Sequence, residues 1–284
     1  MGVAAPISGL DSRVMETIIE IGGMPILVRT DNAEFFEILE RRYGGFVNAA
    51  AKPLFAFDVE IVPAGTLQRQ SEAEEVEVNF SKGRWTLDRG DFHAEWEPAA
   101  GVGTIRQTAN PYSIDSAMRI LHSLLLAKQG GMLLHAASAI RNGRAFLFAG
   151  VSGAGKTTMM RMAPEDATLL TDEISYLRTN FGESIGVEGY VAFGTPFAGE
   201  LAQPGENVSA PLGAIYLLAQ GRENKIEPMS EAAAVRAVME SVLFFAKDAE
   251  LVEQVFDAVC ALVKRVPVHK LTFMPDARVW ELIG

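Results

Sequence analysis

Between Gly150 and Thr157 the chain reads G-V-S-G-A-G-K-T, which satisfies the phosphate-cradling pattern G-x-x-x-x-G-K-[ST] at every fixed position. The residue types explain the pattern. Gly150, Gly153 and Gly155 permit a backbone that turns its N–H groups inward with no side chain in a phosphate's way. Val151, Ser152 and Ala154 occupy the variable places of the same loop. Lys156 offers a point charge for β- and γ-phosphates, and Thr157 a hydroxyl for Mg²⁺. Gly150 to Thr158 are therefore the candidate ATP-binding residues.

A second set of chemical groups follows closely. Thr168-Leu169-Leu170-Thr171 is a short apolar run that ends in Asp172-Glu173. A strand ending in an acid beside a phosphate loop is the usual second half of a nucleotide site. Asp172 reads as the Mg²⁺ ligand and Glu173 as a general base for a substrate hydroxyl. His135, in Leu133-Leu134-His135-Ala136-Ala137-Ser138, has two readings of similar weight: a satisfied core histidine, or a partner that sets the proton affinity of the base.

These groups need elements to hold them. Phe146-Leu147-Phe148-Ala149 has the apolar run of a buried parallel strand. Thr158 to Met162 suits a helix that Pro164 stops, and the positive end of that helix would favour an anion. Strands are expected over Met132–Ile140, Arg144–Ala149, Thr168–Thr171, Gly189–Phe193 and Gly213–Leu218. Helices are expected after Ser230 and from Glu250 to Val266. Leu271, Phe273 and Trp280 should bring the tail back onto the core. Ser113 to Lys128 forms an amphipathic helix, with Ile114, Met118, Leu121, Leu124 and Leu125 on one face.

The first part of the chain has another character. A short helix is expected over Arg13 to Glu20, a strand over Met24–Arg29, and a helix capped by Asp31 and closed by Gly44-Gly45. Leu54 to Val62 alternates as a half-buried strand does. A meander of strands follows, turning at Lys82-Gly83 and at Arg89-Gly90-Asp91, and Glu72, Glu74, Glu75 and Glu77 read as a solvated edge. Composition shifts near Asn110-Pro111. The division is therefore an N-terminal α+β segment, 1–112, and an α/β nucleotide-binding domain, 113–284.

The chain has 284 residues and a formal net charge of -11. That balance argues against nucleic acid or an anionic membrane as partner. One cysteine, Cys260, excludes an internal disulfide framework and suits a reducing cytoplasm; its apolar helical setting suggests a buried, inert thiol. No secretory signal and no run of membrane-spanning length is visible.

The stretch LLHAASAIRNGRAFLFAGVSGAGKTTMMRMAPEDATLLTDE resembles the core of HPr kinase/phosphorylase, of the phosphoenolpyruvate-carboxykinase-like P-loop class. The likeness covers about residues 130 to 200 well, the C-terminal third moderately and the first 110 not at all. It implies a histidine at His135, the phosphate-loop Lys and Ser/Thr at Lys156 and Thr157, and paired acids at Asp172 and Glu173, the second being the catalytic base. Glu200 corresponds to a downstream metal-binding Glu. Two departures stand out: the second acid is Glu where the family has Asp, and the family's Arg-bearing loop has no counterpart, since Gly205 to Pro211 contains neither Arg nor Lys. Arg222 and Lys225 are weak substitutes.

What the resemblance implies is an ATP- and Mg²⁺-dependent kinase acting on a hydroxyl, a serine on a protein or peptide acceptor. Some relatives of this kind accompany peptide-modification systems such as lasso-peptide clusters. Two other readings stay open: a small-molecule kinase or carboxykinase-type enzyme, and a catalytically silent nucleotide-binding module that partners a modification enzyme. The oligomeric state is open as well, a homo-oligomer included.

Overall fold

A computed structural model describes residues 14–67, 76–180 and 189–284, and its first element corrects the sequence reading. Met15–Ile21 is a strand, β1, and not a helix. Its Thr17-Ile18-Ile19 run is β-branched, which disfavours a helix. Gly22 and Gly23, with φ of 61° and 71°, then make the tight turn that pairs β1 with Met24–Thr30, β2. Asn32, one residue beyond the expected cap, accepts from the Phe35 N–H and starts α1, Ala33–Tyr43. The remaining N-terminal strands are Phe55–Ile61 (β3), Glu77–Ser81 (β4), Arg84–Arg89 (β5), Phe92–Glu97 (β6) and Val102–Gln107 (β7). They form a seven-stranded mixed sheet in the order β1-β2-β3-β7-β6-β5-β4, with β2, β3 and β7 parallel. Glu77 is exposed on the edge strand β4; Glu72, Glu74 and Glu75 lie outside the described residues.

Pro111–Ala127, α2, starts from an Asn110 cap. The chain continues through Met132–Arg141 (β8), Arg144–Ala149 (β9), Lys156–Arg161 (α3), Thr168–Thr171 (β10), Ile174–Asn180 (β11), Gly189–Phe193 (β12), Ser209–Gln220 (β13), Lys225–Pro228 (β14), Glu231–Ser241 (α4), Ala249–Arg265 (α5) and Val268–Phe273 (β15). The strands form the second sheet, eight-stranded and also mixed. β9 lies parallel to β13 and β13 parallel to β15, while β8 runs antiparallel to β9. The pairings close on themselves: β8 to β11, β11 to β12, β12 to β13, β13 to β9, and β9 back to β8. One edge of β8 serves two partners in turn, β11 along Met132 to His135 and β10 along Ser138 to Ile140. Among the described residues no helix is long and apolar enough to cross a membrane. Cys260 is only half-buried on α5, not sealed in the core.

Helix α2 is covered on nearly every side, beyond what its apolar stripe suggests, because β7 and β8 both pack against it. One buried cluster runs from the N-terminal sheet through Ile114, Met118 and Leu121 to Leu133, Tyr176 and Phe197. Burial favours partners for the polar groups on this helix, and Asp115 is the clearest case. Asp115 accepts from Arg42 Nε at 2.8 Å and from the Tyr43 hydroxyl at 2.5 Å, tying α1 to α2. Burial and the Asp115 carboxylate push the Tyr43 phenol well up, so it stays a proton donor.

His122, one turn beyond Met118, meets the Tyr176 hydroxyl at 3.0 Å. Burial first, and the charge of Arg178 second, pull its pKa from 6.5 down to about 3. The native imidazole thus stays neutral where the unfolded chain takes up a proton. The stability it contributes is complete above pH 6.5 and is lost as pH falls toward 3. Between pH 7 and pH 5 the loss is expected to be about 2 kcal/mol, read from urea midpoints. Replacing both partners with His122→Phe and Tyr176→Phe should flatten that slope; an undiminished slope would assign the acid sensitivity to other groups.

Candidate functional site

The glycine loop leaves the end of β9 and enters α3. Gly155 takes φ 109°, and a Cβ there would stand 2.5 Å from the Phe273 ring, so only glycine fits against that side chain. Gly153, at φ 77°, faces open space, where a ligand can approach the backbone. The loop is held from within by the Ala154 N–H donating to Val151 O, and from outside by Gln220 Nε2 donating to Gly153 O at 2.7 Å. Val151 is 78% exposed, and Ser152 is exposed beside it. Helix α3 has six residues, so its dipole adds less than a full-length helix would. Its buried face, Met159 and Met160, packs with Trp280, whose indole N–H donates to Met159 O. Leu271, Phe273 and Trp280 are all buried, and this is how the tail braces the loop.

Lys156 reaches back over the loop and donates to Gly150 O at 2.9 Å. Burial lowers the pKa of its ammonium, and Glu173 and Glu200 act in the opposite direction. Thr157 donates its hydroxyl to Glu200 Oε2 at 3.1 Å. Glu200 is exposed, so a hydroxyl and a carboxylate stand together at the surface.

The paired acids sit where β8 changes partners. Thr171 pairs with Ser138 and Ile174 with His135, which leaves Asp172 and Glu173 at the break between β10 and β11. The Thr171 hydroxyl shapes that break by accepting from the N–H groups of Glu173 and Ile174, both at 3.1 Å. The two carboxyls then go to different places. Asp172 is 3% exposed and accepts from the Gly199 and Leu201 N–H groups, each at 2.7 Å. It thereby fixes the loop that carries Glu200. Glu173 is half-buried and pairs with Arg119 Nη2 at 3.2 Å.

His135 is the one exposed side chain within the otherwise buried first eight residues of β8. The core-histidine reading therefore fails. Partial burial and the nearby Lys156 lower its pKa, Glu173 raises it, and Arg119 lowers it further. Lys156, Glu173, His135 and Arg119 thus share one electrostatic neighbourhood. Among the described residues, no group of three or more His, Cys, Asp or Glu forms a self-sufficient metal centre. Mg²⁺ does not require one, because it is commonly held by one or two protein oxygens together with substrate phosphates and water. Thr157 and Glu200 supply such oxygens, and Asp172 acts on them through the loop.

Residues 105–284 match the model of the SynChlorMet cassette protein ScmC family. The chain belongs to that family. The matched region begins within β7 and contains α2 and every site residue described above. No curated protein matches this ScmC-family chain.

Arg119 is the site residue that motif reading misses. It lies on α2, far from the loop in sequence, within an apolar pattern. Its guanidinium stacks over the Phe197 ring with 5.0 Å to the centroid. Its Nε is buried without a partner, so one donor is still to be used. Arg222 and Lys225 do not substitute for it: they fall in and after the turn that follows β13, and Lys225 pairs with Glu227 at 2.8 Å. Arg119→Lys keeps the charge but loses the planar fork. It is expected to lower any phosphate turnover about 10-fold with little change in thermal midpoint, the scale of one charge-assisted hydrogen bond. Turnover at the wild-type rate would show that Arg119 serves folding alone.

Proposed function

We propose that this ScmC-family protein is an ATP- and Mg²⁺-dependent kinase that transfers the γ-phosphoryl group to a hydroxyl, a serine on a peptide or protein acceptor. Its core would then be of the HPr-kinase-like P-loop type. The observation that carries the reading is the gathering of Lys156, His135, Glu173 and Arg119 beside the glycine loop, with Thr157 bonded to Glu200 next to Lys156. The loop amides and Lys156 bind the triphosphate. Thr157 and Glu200 are the residues that would hold Mg²⁺, which when bound neutralises phosphate charge. Glu173 takes the proton from the acceptor hydroxyl, whose oxygen bonds to the γ-phosphorus as the bond to the β–γ bridging oxygen breaks and ADP leaves. Arg119 orients Glu173, and His135 stands beside the same carboxylate.

Incubation with γ-labelled ATP, Mg²⁺, free serine, and serine-containing peptides encoded beside the gene tests this. Label on a peptide serine is the expected result; label on free serine alone would favour a small-molecule kinase. Neither ATP hydrolysis nor labelled product would leave a silent nucleotide-binding module. The commitment of both Asp172 oxygens to backbone amides is the observation on that side.

A further inference from the structure

Beside the glycine loop lies a cavity of about 530 Å³. Gly150, Val151 and Ser152 of the loop line it, together with His135. Leu217 of β13, Met229 just before α4 and Ala237 of α4 add apolar lining. The cavity's size is within the range of small-ligand sites, with room for more than one side chain. Val151 is the most exposed of the large apolar side chains among the described residues, and it lines this cavity. Val151 thus carries the cavity's apolar lining out to the protein surface.

The direction of the loop decides which partner. Lys156 serves the terminal phosphates, and its ammonium lies on Gly150 O. The γ-phosphate end of the loop is therefore the Gly150 end. Thr158, the last residue of the loop, does not line the cavity. The nucleoside would extend from that end, beyond the β/γ-phosphates that Lys156 and the Mg²⁺ on Thr157 would hold, which leaves the cavity on the side from which an acceptor approaches.

We infer that this cavity seats an apolar side chain adjacent to the acceptor serine, so that the substrate is a peptide with an apolar residue next to its hydroxyl and not a free amino acid. The inference rests on the phosphoryl-transfer reading for the position of the hydroxyl, while the cavity itself can be probed without catalysis. Glu240 and Lys270 also line it, with opposite charges, so a net charge on the neighbouring side chain gains little there.

The test uses the full chain and a peptide array, Ala-Ala-Ala-X-Ser-Ala-Ala-Ala, with X as Leu, Met, Phe, Asp or Lys. Labelled-peptide anisotropy reads binding, γ-labelled ATP reads transfer, and calorimetry reads Mg·ATP affinity. Peptides with apolar X should bind and react at least about 10-fold better than those with charged X, the scale of burying one aliphatic side chain. Ala237→Trp fills the hollow and should erase that preference while leaving Mg·ATP affinity unchanged; Ala237→Leu is the smaller companion if the tryptophan unsettles α4. Apolar preference in binding without transfer would uphold the cavity assignment and refute the kinase. No preference in either readout would overturn the cavity assignment. Weakened Mg·ATP affinity in both variants with peptide preference intact would also overturn it, giving the cavity to the nucleoside.

Discussion

Lys156→Ala is expected to abolish nucleotide turnover and to weaken Mg·ATP binding by about 10- to 100-fold, the range set by losing one or more hydrogen bonds to a charged group. The ammonium is the only side-chain cation that the loop itself contributes, because Val151, Ser152, Ala154, Thr157 and Thr158 carry none. It rests on Gly150 O and faces Glu173 and Glu200. Removing it leaves two carboxylates near the position of a highly charged triphosphate, so binding suffers both from lost attraction and from uncovered repulsion. Calorimetry and steady-state turnover compared with the wild type would show this. Unchanged affinity and activity would end the proposal that the loop binds phosphates.

Glu173→Gln should separate binding from chemistry. Glutamine keeps the shape of the side chain but cannot accept the acceptor proton. Mg·ATP binding should remain near the wild-type value, while transfer falls by about 10²-fold or more, the usual scale of general-base loss. Asp172→Asn should behave differently. The two oxygens of Asp172 accept from Gly199 and Leu201, and an amide can satisfy only one of those N–H groups. The loop that carries Glu200 would loosen, and the Mg²⁺ concentration needed for half-maximal activity would rise. Equal Mg²⁺ dependence in the two variants, or wild-type transfer by Glu173→Gln, would refute this division of labour.

Much of the site was legible because local chemistry dictates it. Glycines that must turn, a lysine that must follow them and an acid pair that must end a strand are all short-range requirements, and the strands on either side carry strong apolar runs. What escaped reading depends on long-range packing. No element is expected from sequence over Ile174–Asn180, which is a strand because the edge of β8 accepts it. Val102–Gln107 contains Gly103, a poor strand former, yet a Cβ there would meet the Phe57 ring at 2.3 Å, so close packing is what selects it. Arg119 gives no local signal: its spacing on α2 is that of any surface cation on an amphipathic helix. Only the second layer over that helix makes it a site residue. His135, by contrast, has two readings on its strand, and its exposure removes the core-histidine one.

Asp115 and Arg119 stand four residues apart, on one side of one helix. The first is bonded to Arg42 and Tyr43, the second to Glu173. A rigid helix cannot relax at one of these contacts without disturbing the other. Substitutions at Arg42 and at Glu173 therefore belong to the same thermodynamic cycle, and their effects should fail to add. An N-terminal segment exchanged from a relative would have to bring its own Arg–Tyr pair, or the Glu173 carboxylate would lose its bearing.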